Sequence, residues 1–232
     1  MDTLDDLIAK LAPDTLLRAL DPSQLHDILR TAAQRELKPG EAIITQGDEK
    51  GDFAVCLLTG GLKISMVSAS GREIILNYCG PGEVVGEIAM LDQGPRTATV
   101  TAVSSSTVLL LPRQTFLAAA MANPASMAGI MRELARRIRQ LNLVIESDRT
   151  FSMAPRLARA LVRLIDPAHS DGRLRFSPSQ SDLGAFAGLA RENVSRLLSE
   201  WEAQSIIGRK GRTLVVRDLD YMRLLAEFGD ES

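Results

Sequence analysis

Three patterns in this 232-residue chain predict an α+β fold in three parts. From about Leu37 to Leu111 turn signals recur: Pro39-Gly40, Gly47-Asp48, Gly60-Gly61, Ser70-Gly71, Gly80-Pro81-Gly82 and Gly94-Pro95. Short strands punctuated this way predict an antiparallel barrel or jelly roll. From about Pro124 to Ser147, the residues Met127, Met131, Leu134, Ile138, Leu141 and Ile145 follow at intervals of 4, 3, 4, 3 and 4, a heptad seam on one long helix. From Gln180 to Gln204 two short amphipathic segments flank Gly188, the layout of a helix-turn-helix.

The remaining elements follow in chain order. Leu4, Leu7, Ile8 and Leu11 recur at helical spacing, Pro13 interrupts, and a second short helix runs from Asp21-Pro22 through Leu25, Ile28 and Leu29. A short helix around Ile88–Leu91 is the one helix expected among the strands. After the long helix a break falls near Asp148–Ser152. Ser152 suits an N-cap and Pro155 the first turn of PRLARALVRLI, which ends at Asp166-Pro167. IIGRKGRTLVV, two strand runs around Lys210-Gly211, reads as a wing. The expected division is residues 1–123, a helix and hinge over 124–150, and a C-terminal domain over 151–232.

Composition narrows the class. Apolar residues at 45% and charged ones at 24% describe a globular protein. No apolar run approaches the roughly 18 residues that span a bilayer, and MDTLDDLIAK lacks the pattern of a secretory signal. No membrane partner and a cytoplasmic location are therefore expected. The net charge of −2 excludes indiscriminate polyanion binding, so any nucleic-acid role rests on where the arginines sit. Cys56 and Cys79 lie in apolar strand-like runs and read as buried free thiols. They are too few for an iron–sulfur cluster, and His26 and His169 are isolated. Neither a metal nor a cofactor is expected. With no nucleophile–base pair either, no catalytic residue is expected, and the chain does not read as an enzyme.

Residues 81–99, PGEVVGEIAMLDQGPRTAT, describe a small anion site. Gly82 and Gly86 permit close backbone approach. Glu87 supplies a carboxylate, and Arg96 is the one arginine of the stretch. A guanidinium fork suits phosphate and a carboxylate accepts from a sugar hydroxyl. A ligand with one phosphate and one free ribose hydroxyl answers these features.

GEIAMLDQGPRTAT resembles the phosphate-binding cassette of cyclic-nucleotide-binding domains, and KPGEAIITQGDEKGDFAVCLLTGGLKI resembles the strands ahead of it. Over about residues 22–216 the chain resembles the bacterial cyclic-AMP receptor protein and fumarate–nitrate regulator superfamily of transcription factors. That resemblance implies a jelly-roll cyclic-nucleotide-binding domain, a dimerisation helix and a C-terminal winged helix-turn-helix. It implies a ligand site at Gly86, Glu87, Ile88, Ala89, Arg96 and Thr97. In the cyclic-AMP receptor protein a Thr-Ser pair on the long helix faces adenine. The matching positions here are Leu141 and Asn142, so Asn142 alone can hydrogen-bond a base. It can serve adenine or donate to guanine O6, and Thr97 resembles the residue of cyclic-GMP sites. The allosteric ligand is cyclic AMP by a narrow margin, with cyclic GMP open.

ARENVSRLLSEWE resembles the family's recognition helix. By that match Arg191, Glu192 and Arg196 read bases, with Gln180, Asn193 and the wing's Lys210 also on the DNA. Ala190 departs from the serine often found there. Arginine pairs with guanine O6/N7 and glutamate with cytosine N4. The expected partners are double-stranded DNA with inverted TGTGA-like half-sites and a second copy of the chain, joined through the heptad seam. RNA polymerase is a further partner that the resemblance allows. The alternative is a haem- or redox-sensing, or ligand-independent, regulator on the same scaffold.

Overall fold

A computed structural model describes residues 4–12, 15–166, 169–211 and 213–229. They fall into two compact units. The first runs to Arg139, and the second begins at Gln140 and includes residues 73–75. Pro13 and Pro167, both named in the sequence analysis, lie outside the described residues.

The first unit opens with α1 (Leu4–Lys10), a 3-10 turn (Leu16–Ala19) and α2 (Pro22–Thr31). Asp21 caps α2, its Oδ1 accepting from the Ser23 amide at 3.0 Å, and Pro22 sits where a missing N–H costs nothing. Eight strands follow: β1 (Ala33–Leu37), β2 (Ala42–Ile44), β3 (Phe53–Thr59), β4 (Leu62–Val67), β5 (Glu73–Cys79), β6 (Val84–Val85), β7 (Thr99–Ala102) and β8 (Ser106–Pro112). They form two sheets, ordered β1-β8-β3-β6 and β2-β7-β4-β5, which is a jelly roll. The first strand starts at Ala33, four residues before the expected onset at Leu37. Its first four residues are exposed, so no apolar alternation marks them.

Strand β3 shows why FAVCLL is continuously apolar. Val55 and Leu57 pack between the sheets with Leu62, Val100 and Val108. Ala54, Cys56 and Leu58 point the other way, into a cluster with Leu16, Leu17, Ile28 and Phe116. A strand covered on both faces has no polar side. Cys56 is fully buried, and that desolvation pushes its thiol up to about 12. Only the thiolate reacts, so native protein should resist alkylation at Cys56 at neutral pH and become labelled once unfolded. Rapid labelling of the folded chain at Cys56, read by mass spectrometry, would contradict this burial.

Between β6 and β7 lies α3 (Glu87–Asp92), as expected. Helix α4 (Arg113–Ala122), which the sequence analysis did not anticipate, buries Phe116, Ala119 and Ala120 at helical spacing. Helix α5 runs from Pro124 to Thr150. Its heptad residues do not share one environment within the chain. Met127 and Leu134 are partly buried against the first unit's own core beside Ile130. Met131, Ile138, Leu141 and Ile145 are 49–59% exposed. Among the described residues no helix is long and apolar enough to cross a membrane.

The second unit carries α6 (Met153–Leu164), α7 (Gln180–Ala187), α8 (Arg191–Ala203), β9 (Ile207–Lys210), β10 (Thr213–Val216) and α9 (Leu219–Phe228). Ser152 is the N-cap of α6 by position, but its side chain makes no capping bond. Helix α9 was also not anticipated. It buries Met222, Leu225 and Ala226. Strands β9 and β10 pair antiparallel, the expected wing.

Candidate functional site

Gly86 turns the chain into α3 with φ of 83°, a left-handed conformation that favours glycine. A Cβ there would lie 2.5 Å from Ile44 Cδ1 and 3.1 Å from Arg96 Nη1, so a side chain would displace both tips in addition to the backbone strain. Glu87 is the first residue of the helix and is 5% exposed. A buried carboxylate needs a partner. Arg137 of α5 provides one, its Nη1 donating to Glu87 Oε1 at 2.5 Å. Ala89 is buried while Ile88 is exposed. Arg113 Nε closes the far end of α3 by donating to the Met90 carbonyl at 2.7 Å.

Arg96 is 4% exposed. Its guanidinium is held by three backbone carbonyls: Nε donates to Lys50 (3.1 Å), Nη1 to Gly86 (2.8 Å) and Nη2 to Phe53 (2.8 Å). It also lies over the Phe53 ring, 4.7 Å from the centroid. Burial lowers its pKa from the ordinary value, against the opposing charges of Asp52, Asp48 and Glu87. A guanidinium has five N–H donors. With one N–H of each nitrogen engaged, a second remains on Nη1 and another on Nη2, a pair suited to two oxygens of one phosphate. The residue that sequence reasoning reads as a ligand contact is therefore also a structural tie between the β2–β3 loop and α3. Thr97 beside it is exposed. Asn142 is an exposed residue of α5 and belongs to the second unit.

In the second unit, Ser179 and Asp182 form a reciprocal capping box at the start of α7. Gly188 ends that helix in the left-handed region with φ of 66°, and the Leu189 amide donates to the Gly184 carbonyl at 2.8 Å. Arg156 Nη2 donates to the Gly188 carbonyl at 2.8 Å and fastens the turn to α6. Ala190 caps α8 without a side-chain bond. Val194, Leu197, Leu198 and Trp201 are buried. On the other side Gln180, Arg191, Glu192, Ser195, Arg196 and Ser199 line one open cleft.

Of the expected DNA-contact residues, Asn193 and Lys210 do not line that cleft. Arg196 pairs with Glu200 at 3.0 Å and Lys210 with Asp171 at 3.7 Å, both exposed pairs that exchange easily for other partners. Arg209 of the wing lines a neighbouring cleft with Arg191 and Gln180. Arg137 and Glu133 of α5 are not among the residues singled out from the sequence. Their four-residue spacing was the available signal.

Comparisons with known proteins agree with this architecture. The cyclic nucleotide-binding domain family matches residues 34–123, and the Crp-like helix-turn-helix domain family matches residues 155–225. The Cyclic AMP receptor protein of Thermus thermophilus is 31% identical over 212 residues, covering 91% of this chain and 96% of the relative. The CRP-like cAMP-activated global transcriptional regulator of Mycobacterium tuberculosis is 24% identical over 220 residues, covering 93% and 96%. Among solved structures, FixK2 from Bradyrhizobium japonicum shares the fold at a TM-score of 0.74, with 24% identity over 84% of this chain and 97% of that one. The c-di-GMP responsive regulator CLP of Xanthomonas campestris does so at 0.69, with 20% identity over 84% and 99%.

Fold and motifs define a transcription regulator with a cyclic nucleotide-binding domain and a helix-turn-helix. The chain belongs to the cyclic-AMP receptor protein and fumarate–nitrate regulator superfamily, whose members here are named as regulators rather than enzymes.

Proposed function

We propose that this chain is a homodimeric, cytoplasmic regulator whose affinity for inverted-repeat DNA is raised by a cyclic mononucleotide, cyclic AMP first and cyclic GMP second. The bond from Arg96 Nη1 to the Gly86 carbonyl carries this reading. It sets a fixed guanidinium, with two N–H groups to spare, beside the turn that begins with Glu87. The phosphate takes those two donors and the ribose 2′-hydroxyl donates to Glu87, while Gly86, Ile88, Ala89 and Thr97 complete the wall. Asn142 supplies the base contact. The dimer forms through the exposed residues Met131, Ile138, Leu141 and Ile145. Switching follows only if the ligand binds one arrangement of the dimer more tightly than another.

Arg191, Glu192 and Arg196 read bases in TGTGA-like half-sites, Gln180, Asn193 and Lys210 assisting, and the two-fold dimer makes the site an inverted pair. The cleft that gathers Arg191, Glu192 and Arg196 on one side of α8 supports this assignment. Arg196→Ala should cost about 1–3 kcal/mol on the cognate site and relax preference at one base pair. Lys210→Ala should weaken all duplexes alike and reduce the salt slope by about one unit. Binding titrations on cognate and scrambled duplexes at several salt concentrations distinguish the two. Equal losses on both duplexes for Arg196→Ala would demote it to a phosphate contact. Calorimetric titration with cyclic AMP and cyclic GMP tests the ligand, and heat from neither would end the nucleotide reading.

A further inference from the structure

Arg137 lies between two carboxylates. Its Nη1 donates to Glu87 Oε1, and its Nε donates to Glu133 Oε1 at 3.0 Å. Glu133 is fixed in turn by Arg136, whose Nη2 and Nε donate to its two oxygens at 2.7 and 2.8 Å. On α5, Glu133 precedes Arg136 by three residues and Arg137 by four, the separations at which helical side chains meet. These are not loose surface pairs. The side chains of Glu87 and Glu133 are 7% and 10% exposed, and that of Arg137 is 29% exposed. Burial alone would raise the Glu133 carboxyl. The hydrogen bonds from Arg136 and Arg137 outweigh it and hold the group below its usual value.

The arrangement constrains Arg137 in a particular way. An arginine facing a single carboxylate prefers two parallel N–H···O bonds to both of its oxygens. Here the Nε edge belongs to Glu133, so Glu87 receives its bond from Arg137 at Oε1. We propose that Glu133 is a positioning residue for the sugar subsite, holding Arg137 by Nε so that Glu87 keeps Oε2 as an acceptor for the ligand's hydroxyl. This rests on reading Glu87 as the sugar contact. Without the Glu133 charge, Arg137 turns its fork onto Glu87, occupies both oxygens and competes with the sugar.

The test uses the full chain, with cyclic AMP and cyclic GMP as probes. Glu133→Gln keeps the shape and removes the charge, and should weaken binding about fivefold, a change typical of coupled neighbours. Glu133→Asp should recover most of that loss. In an Arg137→Met background, Glu133→Gln should change affinity no further, because Glu133 acts through Arg137. A loss that persists in that background makes Glu133 a general structural residue and overturns the proposal, as does a Glu133→Gln variant that binds as tightly as wild type. A ligand-free arm separates this from the nucleotide reading. Glu87→Gln and Glu133→Gln share one guanidinium, so their effects on urea unfolding should be non-additive. If wild type binds neither nucleotide, the sugar reading of Glu87 fails on its own. Additive unfolding effects then overturn the Glu133 network as well.

Discussion

Replacing Arg96 with alanine is expected to cost the first unit about 3 kcal/mol or more of stability as well as its nucleotide affinity. The sequence alone suggests a variant that loses ligand and keeps its fold. The structure changes that expectation, because the guanidinium holds the carbonyls of Lys50, Gly86 and Phe53. A hydrogen bond to a charged group contributes about 1.5–3 kcal/mol, and three part-buried ones are lost together with the stacking on Phe53. The ligand loses a charge-assisted contact worth about 1.5–3 kcal/mol, at least tenfold in affinity. Arg96→Lys keeps the charge but cannot reach three carbonyls, so it should recover little of the stability. Urea unfolding and calorimetric titration of both variants check this. An alanine variant as stable as wild type would show that the three carbonyl bonds contribute nothing net.

Ile138→Glu is expected to split the dimer while leaving each unit folded. Ile138 is 59% exposed within the chain, so the substitution leaves the core of the first unit intact. In a two-fold contact it would set two carboxylates against each other away from water, where an unpaired buried charge costs about 3–5 kcal/mol. That corresponds to a dimer dissociation constant raised at least about a hundredfold. Leu134 looks equivalent in the heptad, but it packs on its own core. Glutamate there would confound dimer loss with unfolding. Light scattering across a concentration series reads the outcome, and a stable Ile138→Glu dimer would place the contact elsewhere.

These two cases show what was legible in the sequence. Turn glycines and the spacing around Gly188 announced the strands and the helix-turn-helix, because left-handed backbone and amphipathic period are written locally. Glu87 and Arg96 were legible as residue types with a chemistry. The three carbonyls that hold Arg96 were not, since a backbone acceptor leaves no mark on side-chain pattern. The split of the heptad was hidden for a related reason. Period shows that Met127, Leu134 and Ile138 share one side of a helix, and only packing shows that Leu134 touches the jelly roll. Helix α4 escaped because RQTFLAAAMA has neither a capping side chain nor a strong polar face.

The most direct measurement is the affinity for a duplex carrying inverted TGTGA-like half-sites, taken with and without saturating cyclic AMP or cyclic GMP. Wild type should bind at least about tenfold more tightly with one of the two nucleotides, within the usual range of allosteric coupling. Glu87→Gln should lose most of that gain while keeping its nucleotide-free affinity. Wild-type affinity that is identical with and without both nucleotides, on a duplex it otherwise prefers to a scrambled one, would contradict nucleotide control and leave a regulator that binds DNA unaided.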